Sequence, residues 1–199
     1  AIATDAFIPL MAGNATTCSG IQSLLDIIVD YLPSPSAAHS AKAMVGGKEE
    51  AIKCDANAPF SAQVFKSIVD PYVGKLLIFK VMSGKLSSGD AMYNNNAEKP
   101  EKAGALYILK GKKQEAVDVL NAGDIGALAK LVYTNTNDTL SAPEYKLQYS
   151  KIEFPQPVIS YAVSASKDEE KAIQGLIKMQ DEDATFKVES DEDFKNYIS

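Results

Sequence analysis

Apolar residues recur at helical spacing near the start of the chain. The repeated positions are Ile21, Leu24, Leu25, Ile28 and Leu32. One face of an α-helix carries residues at this spacing, so the pattern predicts an amphipathic helix. Ser19 followed by Gln22 three residues later matches a capping box, which places the start of the helix after Ser19. Pro33 ends it, because proline cannot continue a helix.

A second helical pattern lies near the end of the chain. Its apolar face consists of Ala172, Ile173, Leu176 and Ile177, and Ser166 with Glu169 predicts its capping box. An extended run at residues 158–164 precedes this helix, and a strand pattern at residues 185–189 follows it, with one more strand beginning at Tyr197. The order strand, helix, strand predicts the first part of a ferredoxin-like α+β domain.

Between the two helices, short β-rich runs alternate with turn residues. The runs are residues 60–69, 75–82, 90–93, 104–109, 115–120 and 124–132. Gly, Asn, Asp and Ser separate them, as expected for turns. Short strands at this spacing predict a small closed β-barrel, which leaves no exposed sheet edge.

The pattern divides the chain into four parts. A continuous apolar run at residues 6–12 predicts a buried strand, and with the first helix it makes residues 1–35 the end of an α/β domain. Residues 36–58 are rich in Ser, Ala, Gly and Lys and predict a linker, with a short edge strand near residues 51–53. The barrel occupies residues 59–154 and the α+β part residues 155–199. The predicted fold class is therefore mixed but mainly β.

The amino-acid composition narrows the classes of partner that this segment can bind. The formal net charge is −6, and all 20 basic residues are lysine. A compact nucleic-acid binder usually carries a basic face, so the charge argues against DNA or RNA affinity as the main role of this segment. Without arginine, the segment supplies no bidentate contact to phosphate. No apolar run reaches the length of a membrane span, so we expect no membrane partner.

Few residues offer catalytic or metal-binding chemistry. Cys18, Cys54 and His39 are far apart in sequence, which gives no metal-ligand spacing and no Cys/His pair. A glycine pair precedes Lys48, but neither the earlier glycine nor the following Ser or Thr of a phosphate loop is present. Acidic residues from Asp181 onward match part of a calcium loop that lacks its glycine. We therefore predict no catalytic residues and no metal site in this segment.

Segments along nearly the whole chain resemble one family. Residues 20–35 (GIQSLLDIIVDYLPSP) are similar to the helix that closes the GTP-binding domain of bacterial elongation factor G, and residues 70–84 (DPYVGKLLIFKVMSG) to the opening strands of its domain II. Residues 152–160 (IEFPQPVIS) resemble the passage into domain III. Shorter similarities follow in the same order at residues 85–90, 122–125 (AGDI), 138–140 (DTL) and 183–188 (DATFKV).

The resemblance implies a cytoplasmic, ribosome-associated translational GTPase that binds GTP and Mg²⁺. Gly13-Asn14-Ala15 occupies the place of the family's last guanine-recognition motif, usually Gly-Ser-Ala. The resemblance implies that the backbone amide of Ala15 can donate a hydrogen bond to the guanine oxygen. Asn14 departs from the serine that the family usually has at this position. Asn137 stands where the family commonly has glycine, and asparagine tolerates the same left-handed backbone.

The remaining nucleotide-binding motifs are expected upstream of residue 1, so both ends of the chain are expected to be cuts in a longer protein. The segment alone is then expected to hydrolyse no GTP. The family's domain II contacts RNA and protein of the small ribosomal subunit. Lysines on barrel loops are the expected phosphate contacts. They are Lys85, Lys110, Lys112 and Lys113.

Two alternatives differ in function. One keeps the family but makes the protein a ribosome-protection factor of the kind that gives tetracycline resistance. The other is a non-enzymatic β-barrel interaction module that never had a GTPase domain. The strand and helix predicted at residues 6–32 argue against the second alternative, because their apolar faces would be exposed unless a sheet covered them.

Overall fold

The computed structural model describes residues 6–37, 40–70, 74–111, 113–163, 169–189 and 197–198. The chain divides into two compact units, Ala1–His39 and Ser40–Ser199. Ser166 of the second predicted capping box, His39 and Lys112 lie outside the described residues.

The described residues form two α-helices and sixteen β-strands. The helices are α1 (Ile21–Tyr31) and α2 (Glu169–Glu182). The strands of the first half are β1 (Ala41–Val45), β2 (Lys48–Ile52), β3 (Ser61–Asp70), β4 (Gly74–Ser83), β5 (Lys85–Ser87), β6 (Ala91–Asn94), β7 (Lys99–Lys102) and β8 (Leu106–Lys110). Those of the second half are β9 (Lys113–Val117), β10 (Val119–Asn121), β11 (Ile125–Ala129), β12 (Thr139–Ser141), β13 (Leu147–Tyr149), β14 (Tyr161–Ala162), β15 (Val188–Glu189) and β16 (Tyr197–Ile198).

The first unit contains α1 where the periodicity predicts it, but two predictions there are wrong. Residues 6–12 form no strand, because no described segment pairs with them, and Leu10 is 98% exposed. The predicted capping box is absent, because Gly20 in a left-handed conformation is the N-cap residue and no side chain caps the helix. Gln22 instead donates a hydrogen bond to Asp26 one turn further along α1.

The second unit is built on a long antiparallel sheet that curls around its largest apolar core, while Leu76, Ile78, Ala127 and Ala129 form a smaller buried cluster on the opposite face. The strand order is β7-β6-β12-β3-β4-β11-β8-β9, and β5 pairs with β10 beside it. Side chains from β3, β4, β5, β6, β8, β10, β11 and β12 meet in a single buried cluster, with Phe79 fully enclosed at its centre. Alternate residues of a strand point to opposite faces, so one face of each strand fills this core. This confirms the predicted mainly β fold class and its barrel.

Residues 41–52 form a hairpin inside the predicted linker. β1 pairs with β2 across the Gly46-Gly47 turn and with β13 on its other side. Both glycines have positive φ angles, as the tight turn of a two-residue hairpin requires. Ala43, Ile52, Leu147 and Tyr149 make a second small core. The linker prediction missed this hairpin because its strands are short and mostly exposed.

Beyond the barrel, residues 151–160 contain neither helix nor strand. The α+β part then follows the predicted order of strand, helix and strand. β14 and β15 both pair with β16, which gives the antiparallel order β14-β16-β15, and α2 precedes β15. The predicted strand at residues 185–189 is shorter than expected, because only Val188 and Glu189 are paired.

Gly84 joins β4 to β5 where the chain passes very close to another segment. Its φ angle is +70°, a conformation that side-chain-bearing residues rarely adopt. A Cβ atom on Gly84 would lie 2.6 Å from the carbonyl oxygen of Ala58 and 2.6 Å from the amide nitrogen of Phe60. Both neighbours are backbone atoms, so neither can rotate away.

Tyr149 connects β13 to the barrel through hydrogen bonds between buried hydroxyl groups. Its phenol lies 2.7 Å from the hydroxyl of Ser61, which lies 2.6 Å from that of Ser83. Ser83 donates to the carbonyl oxygen of Pro59 at 2.7 Å. Burial raises the pKa of Tyr149 to about 12, because the buried phenolate would lose its hydration.

We predict that Gly84→Ala destabilises the protein far more than Gly89→Ala. Both glycines have positive φ, but no atom lies within 4 Å of a Cβ placed on Gly89. The control therefore loses only about 1 kcal/mol from backbone strain, whereas Gly84→Ala adds a backbone clash and loses more than about 3 kcal/mol. Urea unfolding followed by circular dichroism measures both. Equal losses would show that the close approach at Gly84 is absent.

We also predict that the folded protein loses stability between pH 10 and pH 12 through Tyr149. An unfolded tyrosine loses its proton near pH 10, whereas folded Tyr149 keeps it until about pH 12. The contribution is present below pH 10 and is lost as the pH rises, by about 2–3 kcal/mol at pH 12. Tyr149→Phe should show a shallower decline in unfolding free energy over this range. An unchanged slope would contradict the assigned pKa.

Candidate functional site

The loop before α1 holds the two residues proposed to face a nucleotide. The carboxamide oxygen of Asn14 accepts hydrogen bonds from the amides of Thr16 at 2.9 Å and Thr17 at 3.3 Å. The backbone amide of Asn14 donates to the carbonyl oxygen of Ser19 at 2.9 Å. Asparagine side chains commonly bond in this way to backbone two or three residues ahead. Asn14 therefore closes the loop on itself.

Glycines allow the two ends of this loop to approach each other. A Cβ atom on Gly20 would lie 2.7 Å from the carbonyl oxygen of Ala12, and one on Gly13 would lie 3.0 Å from that of Ser19. Cys18 adopts a positive φ of 56° inside the loop. The turn therefore depends on small residues at both ends and on the Asn14 side chain in the middle.

The backbone amide of Ala15 makes no hydrogen bond among the described residues. Ala15 lies between Asn14 and the two residues whose amides donate hydrogen bonds to Asn14. The residues of this loop are exposed. The departure from the family serine thus leaves the loop supported, because the asparagine oxygen binds the neighbouring amides. The roles of Asn14 and Ala15 in guanine recognition stay predictions.

Three of the four proposed phosphate contacts lie in the described residues, and the structure places them in two different ladders. Lys110 and Lys113 lie opposite each other at the end of the β8–β9 hairpin, and both are exposed. Lys85 lies on β5 opposite Asn121 of β10, in a different ladder. Lys112 lies outside the described residues. The geometry therefore groups Lys110 with Lys113 and leaves Lys85 elsewhere in the strand order.

The two hairpin lysines differ in their surroundings. The ammonium of Lys110 lies 2.6 Å from the carboxylate of Glu115, and both side chains are at least half exposed. An exposed ion pair of this kind is weak and is screened by salt. Lys113 makes no ion pair among the described residues, so its charge is the more available of the two for an anion.

Sequence reasoning missed a polar network that holds the loop before β12. The Glu101 carboxylate accepts hydrogen bonds from the amide of Tyr133 at 2.8 Å and from the hydroxyl of Thr134 at 3.1 Å. Buried Asn94 donates to Thr134 at 3.1 Å and to Asp138 at 2.9 Å. These partners are up to 44 residues apart in the chain, so no local pattern reveals them.

Asn137 takes the predicted left-handed conformation, with a φ angle of 76°. Its side chain also makes a pair of hydrogen bonds to the backbone of Ile152. The carboxamide nitrogen donates to the Ile152 carbonyl oxygen at 3.0 Å, and the carboxamide oxygen accepts from the Ile152 amide at 2.8 Å. Glycine at this position would supply the conformation but neither hydrogen bond.

Other site chemistry is sparse in the part of the chain that the structure describes. No group of three or more His, Cys, Asp or Glu residues there is arranged to hold a metal ion. Cys18 and Cys54 are free thiols. Neither described helix is long and apolar enough to cross a membrane.

Family models match the two folded parts of the second unit in order. The model for elongation factor G domain 2 matches residues 59–142, and that for elongation factor G domain III matches residues 154–198. These matches cover the barrel and the α+β part that follows it. Together with the observed fold, they define the segment as part of a translation elongation factor.

Curated relatives extend the similarity toward the start of the chain. Elongation factor G of Thermotoga maritima is 40% identical over 190 residues, which cover 94% of this chain and 28% of that protein. Elongation factor G of Thermotoga neapolitana is 39% identical with similar coverage. The chain belongs to the elongation factor G-like family and spans about 28% of the length of such relatives.

A solved structure supports the fold. The crystal structure of a Thermus thermophilus protein superposes with a TM-score of 0.67 at 24% identity, covering 90% of this chain and 25% of that one. The two Thermotoga relatives are elongation factors, so neither the ribosome-protection alternative nor the stand-alone barrel module is favoured.

We predict that Asn14→Ala loosens the loop before α1. Removing the carboxamide leaves the amides of Thr16 and Thr17 without their acceptor, so their hydrogen exchange should accelerate about two- to tenfold. Asn14→Asp keeps an acceptor oxygen and serves as the control. NMR measures the hydrogen-exchange rates of the Thr16 and Thr17 amides in each variant. Equal exchange in Asn14→Ala and the parent would contradict the loop geometry.

Proposed function

We propose that the whole protein is a ribosome-associated GTPase and that this segment serves as its docking part on the small ribosomal subunit. The observation that carries the proposal is the ordered match of domain 2 and domain III models along one chain that is 40% identical to an elongation factor G. The step of translation served is translocation or ribosome recycling, in which GTP hydrolysis drives or resets the factor.

In this proposal, GTP and Mg²⁺ bind mainly through residues outside this chain. The segment contributes the loop around Asn14 and Ala15. Support for this assignment comes from the Ala15 amide, which has no partner among the described residues, and from the turn that Asn14 holds around it. A backbone amide in an exposed loop can donate to a carbonyl oxygen of a base. The GTP chemistry itself belongs to the whole protein.

The β8–β9 hairpin is the proposed contact to ribosomal RNA. Lys110 and Lys113 present two ammonium groups on opposite strands near its turn. Lysines that neutralise RNA phosphates release counterions, so their contribution falls as salt rises. The net charge of −6 opposes RNA binding by the segment as a whole, so the proposed contact is a local one at this hairpin.

We predict that reversing the hairpin charges weakens binding to small ribosomal subunits. Lys110→Glu, Lys112→Glu and Lys113→Glu combined should reduce co-sedimentation of the chain with small subunits at least about tenfold at low salt, because several phosphate contacts are lost. Lys85→Glu alone tests whether the remaining proposed contact acts separately.

The matched control reverses three exposed lysines elsewhere, Lys48, Lys53 and Lys178, so that the net charge is the same. Binding by this control should stay within about twofold of the parent if docking depends on location rather than net charge. Equal binding by the hairpin variant and the parent would remove the hairpin from the interface. Failure of the parent to bind at any salt concentration would contradict the docking proposal.

A further inference from the structure

A groove of about 500 Å³ lies on the second unit, bounded by the β6–β7 turn and by β1 and β13. Met44 and Tyr93 give it apolar and aromatic surface, and Asn95, Glu98 and Lys146 give it polar groups. Small-ligand sites commonly combine a largely apolar surface with a few polar side chains in this way. The groove includes neither the loop before α1 nor the lysines of the β8–β9 hairpin.

The β6–β7 turn is held in one conformation by asparagine side chains. The carboxamide oxygen of buried Asn94 accepts hydrogen bonds from the amides of Asn96 and Ala97, both at 2.9 Å. That of Asn96 accepts from the Thr139 amide at 2.8 Å. Glu98 follows with a φ angle of 55°, which residues with side chains rarely adopt and which is commonest at functional sites. The turn therefore fixes the backbone of Glu98 before a ligand arrives.

A hydroxyl group sets the orientation of the Asn95 carboxamide. Ser141 donates its one hydroxyl hydrogen to the carbonyl oxygen of Ala142 at 3.1 Å, so its oxygen is left to accept. The carboxamide nitrogen of Asn95 donates to that oxygen at 2.8 Å. The Asn95 oxygen and the Glu98 carboxylate make no hydrogen bond among the described residues. The turn thus supplies two unused acceptor groups.

A positive charge and a flexible apolar side chain complete the groove. The ammonium of Lys146 lies 5.6 Å from the centre of the Tyr93 ring. This cation–π contact attracts the charge and leaves the N–H donors available, and Lys146 makes no ion pair among the described residues. Met44 is 46% exposed and lies opposite Gln148 of β13. Methionine adapts readily to the face of an aromatic ring.

We propose that this groove binds an unpaired guanine base. Guanine carries two donor groups, N1–H and the N2 amino group, beside the acceptor O6, with a second acceptor at N7. The two acceptors of the turn, on Asn95 and Glu98, match the donors, and Lys146 matches O6 and N7. Met44 contacts the ring face. Adenine places an acceptor where guanine donates, so the Glu98 carboxylate rejects it.

The base comes either from single-stranded RNA or from a free guanosine nucleotide. The groove is separate from the hairpin proposed to dock on the ribosome, so this inference does not depend on that docking. It also differs from the loop around Asn14, which belongs to the first unit. Residue-specific measurement therefore distinguishes the three sites.

The test titrates the full 199-residue chain with guanosine monophosphate and with adenosine monophosphate. NMR follows the side-chain amides of Asn95 and Gln148 and the backbone amide of Glu98. The guanosine nucleotide should shift these signals and bind at least about tenfold more tightly, because adenine loses the charge-assisted hydrogen bond to Glu98. Equal affinities, or shifts confined to residues 14–17, would overturn the proposal.

A carboxylate variant tests the source of the selectivity. Glu98→Ala should bring the two affinities within about twofold of each other. Its control is Glu153→Ala, which removes an exposed carboxylate outside the groove and should keep the preference of the parent chain. An unchanged preference in Glu98→Ala would overturn the role of Glu98, and with it the proposed base.

A short RNA of uracils with one central guanine identifies the source of the base. Binding at least about tenfold tighter than the free nucleotide, at the same signals, would assign the groove to RNA, because the flanking phosphates add contacts. Equal or weaker binding by the RNA would assign it to a free nucleotide. The matched RNA with a central adenine should bind about tenfold more weakly. Equal binding of the two RNAs would contradict recognition of guanine.

Discussion

β3 and β4 pair along almost their whole lengths, ten residues in each strand, and the other parts of the second unit attach to this pair. β12 adds to the free side of β3, and β11 adds to the free side of β4. A one-residue slip in their register would turn Val64 and Phe79 from the barrel core to the opposite face of the sheet. Both faces of β4 are buried, with Leu77 and Phe79 in the barrel core and Leu76 and Ile78 in a separate cluster, so the register of this pair fixes the packing on both sides of the sheet.

The same hairpin also connects the barrel to its neighbours. At one end, Ser61 and Ser83 lie opposite each other and share the hydroxyl chain with Tyr149. At the other end, Val69 and Lys75 lie opposite each other and contact α2. The apolar side of the strands builds the core, while the polar groups at the two ends hold separate elements to it.

Sequence patterns predicted the elements that satisfy their own hydrogen bonds or bury a regular face. The periodicity indicated α1 and α2, and the strong apolar runs indicated β3 and β4. The capping box at Ser19 failed, because the backbone at Gly20 turns left-handed and removes the geometry that the box needs. The run at residues 6–12 failed as a strand because strands need partners, and no described segment provides one.

The polar contacts could not be predicted in the same way. Asn94 reaches Asp138, and Gln63 reaches the carbonyl of Ser150, across long stretches of chain. Such pairs depend on tertiary placement, which periodicity does not encode. The resemblance to elongation factor G placed Asn137 correctly in a left-handed turn, but its two bonds to Ile152 became visible only in the structure. The resemblance thus predicted the backbone conformation at Asn137 but not these side-chain contacts.

Our central proposal is that this segment docks on the small ribosomal subunit. Electron cryo-microscopy of small ribosomal subunits mixed with the 199-residue chain tests it most directly. The account predicts density for the barrel on the subunit, with the β8–β9 hairpin turned toward RNA. Subunits without such density at saturating chain, or a bound barrel whose hairpin faces solvent, would contradict it.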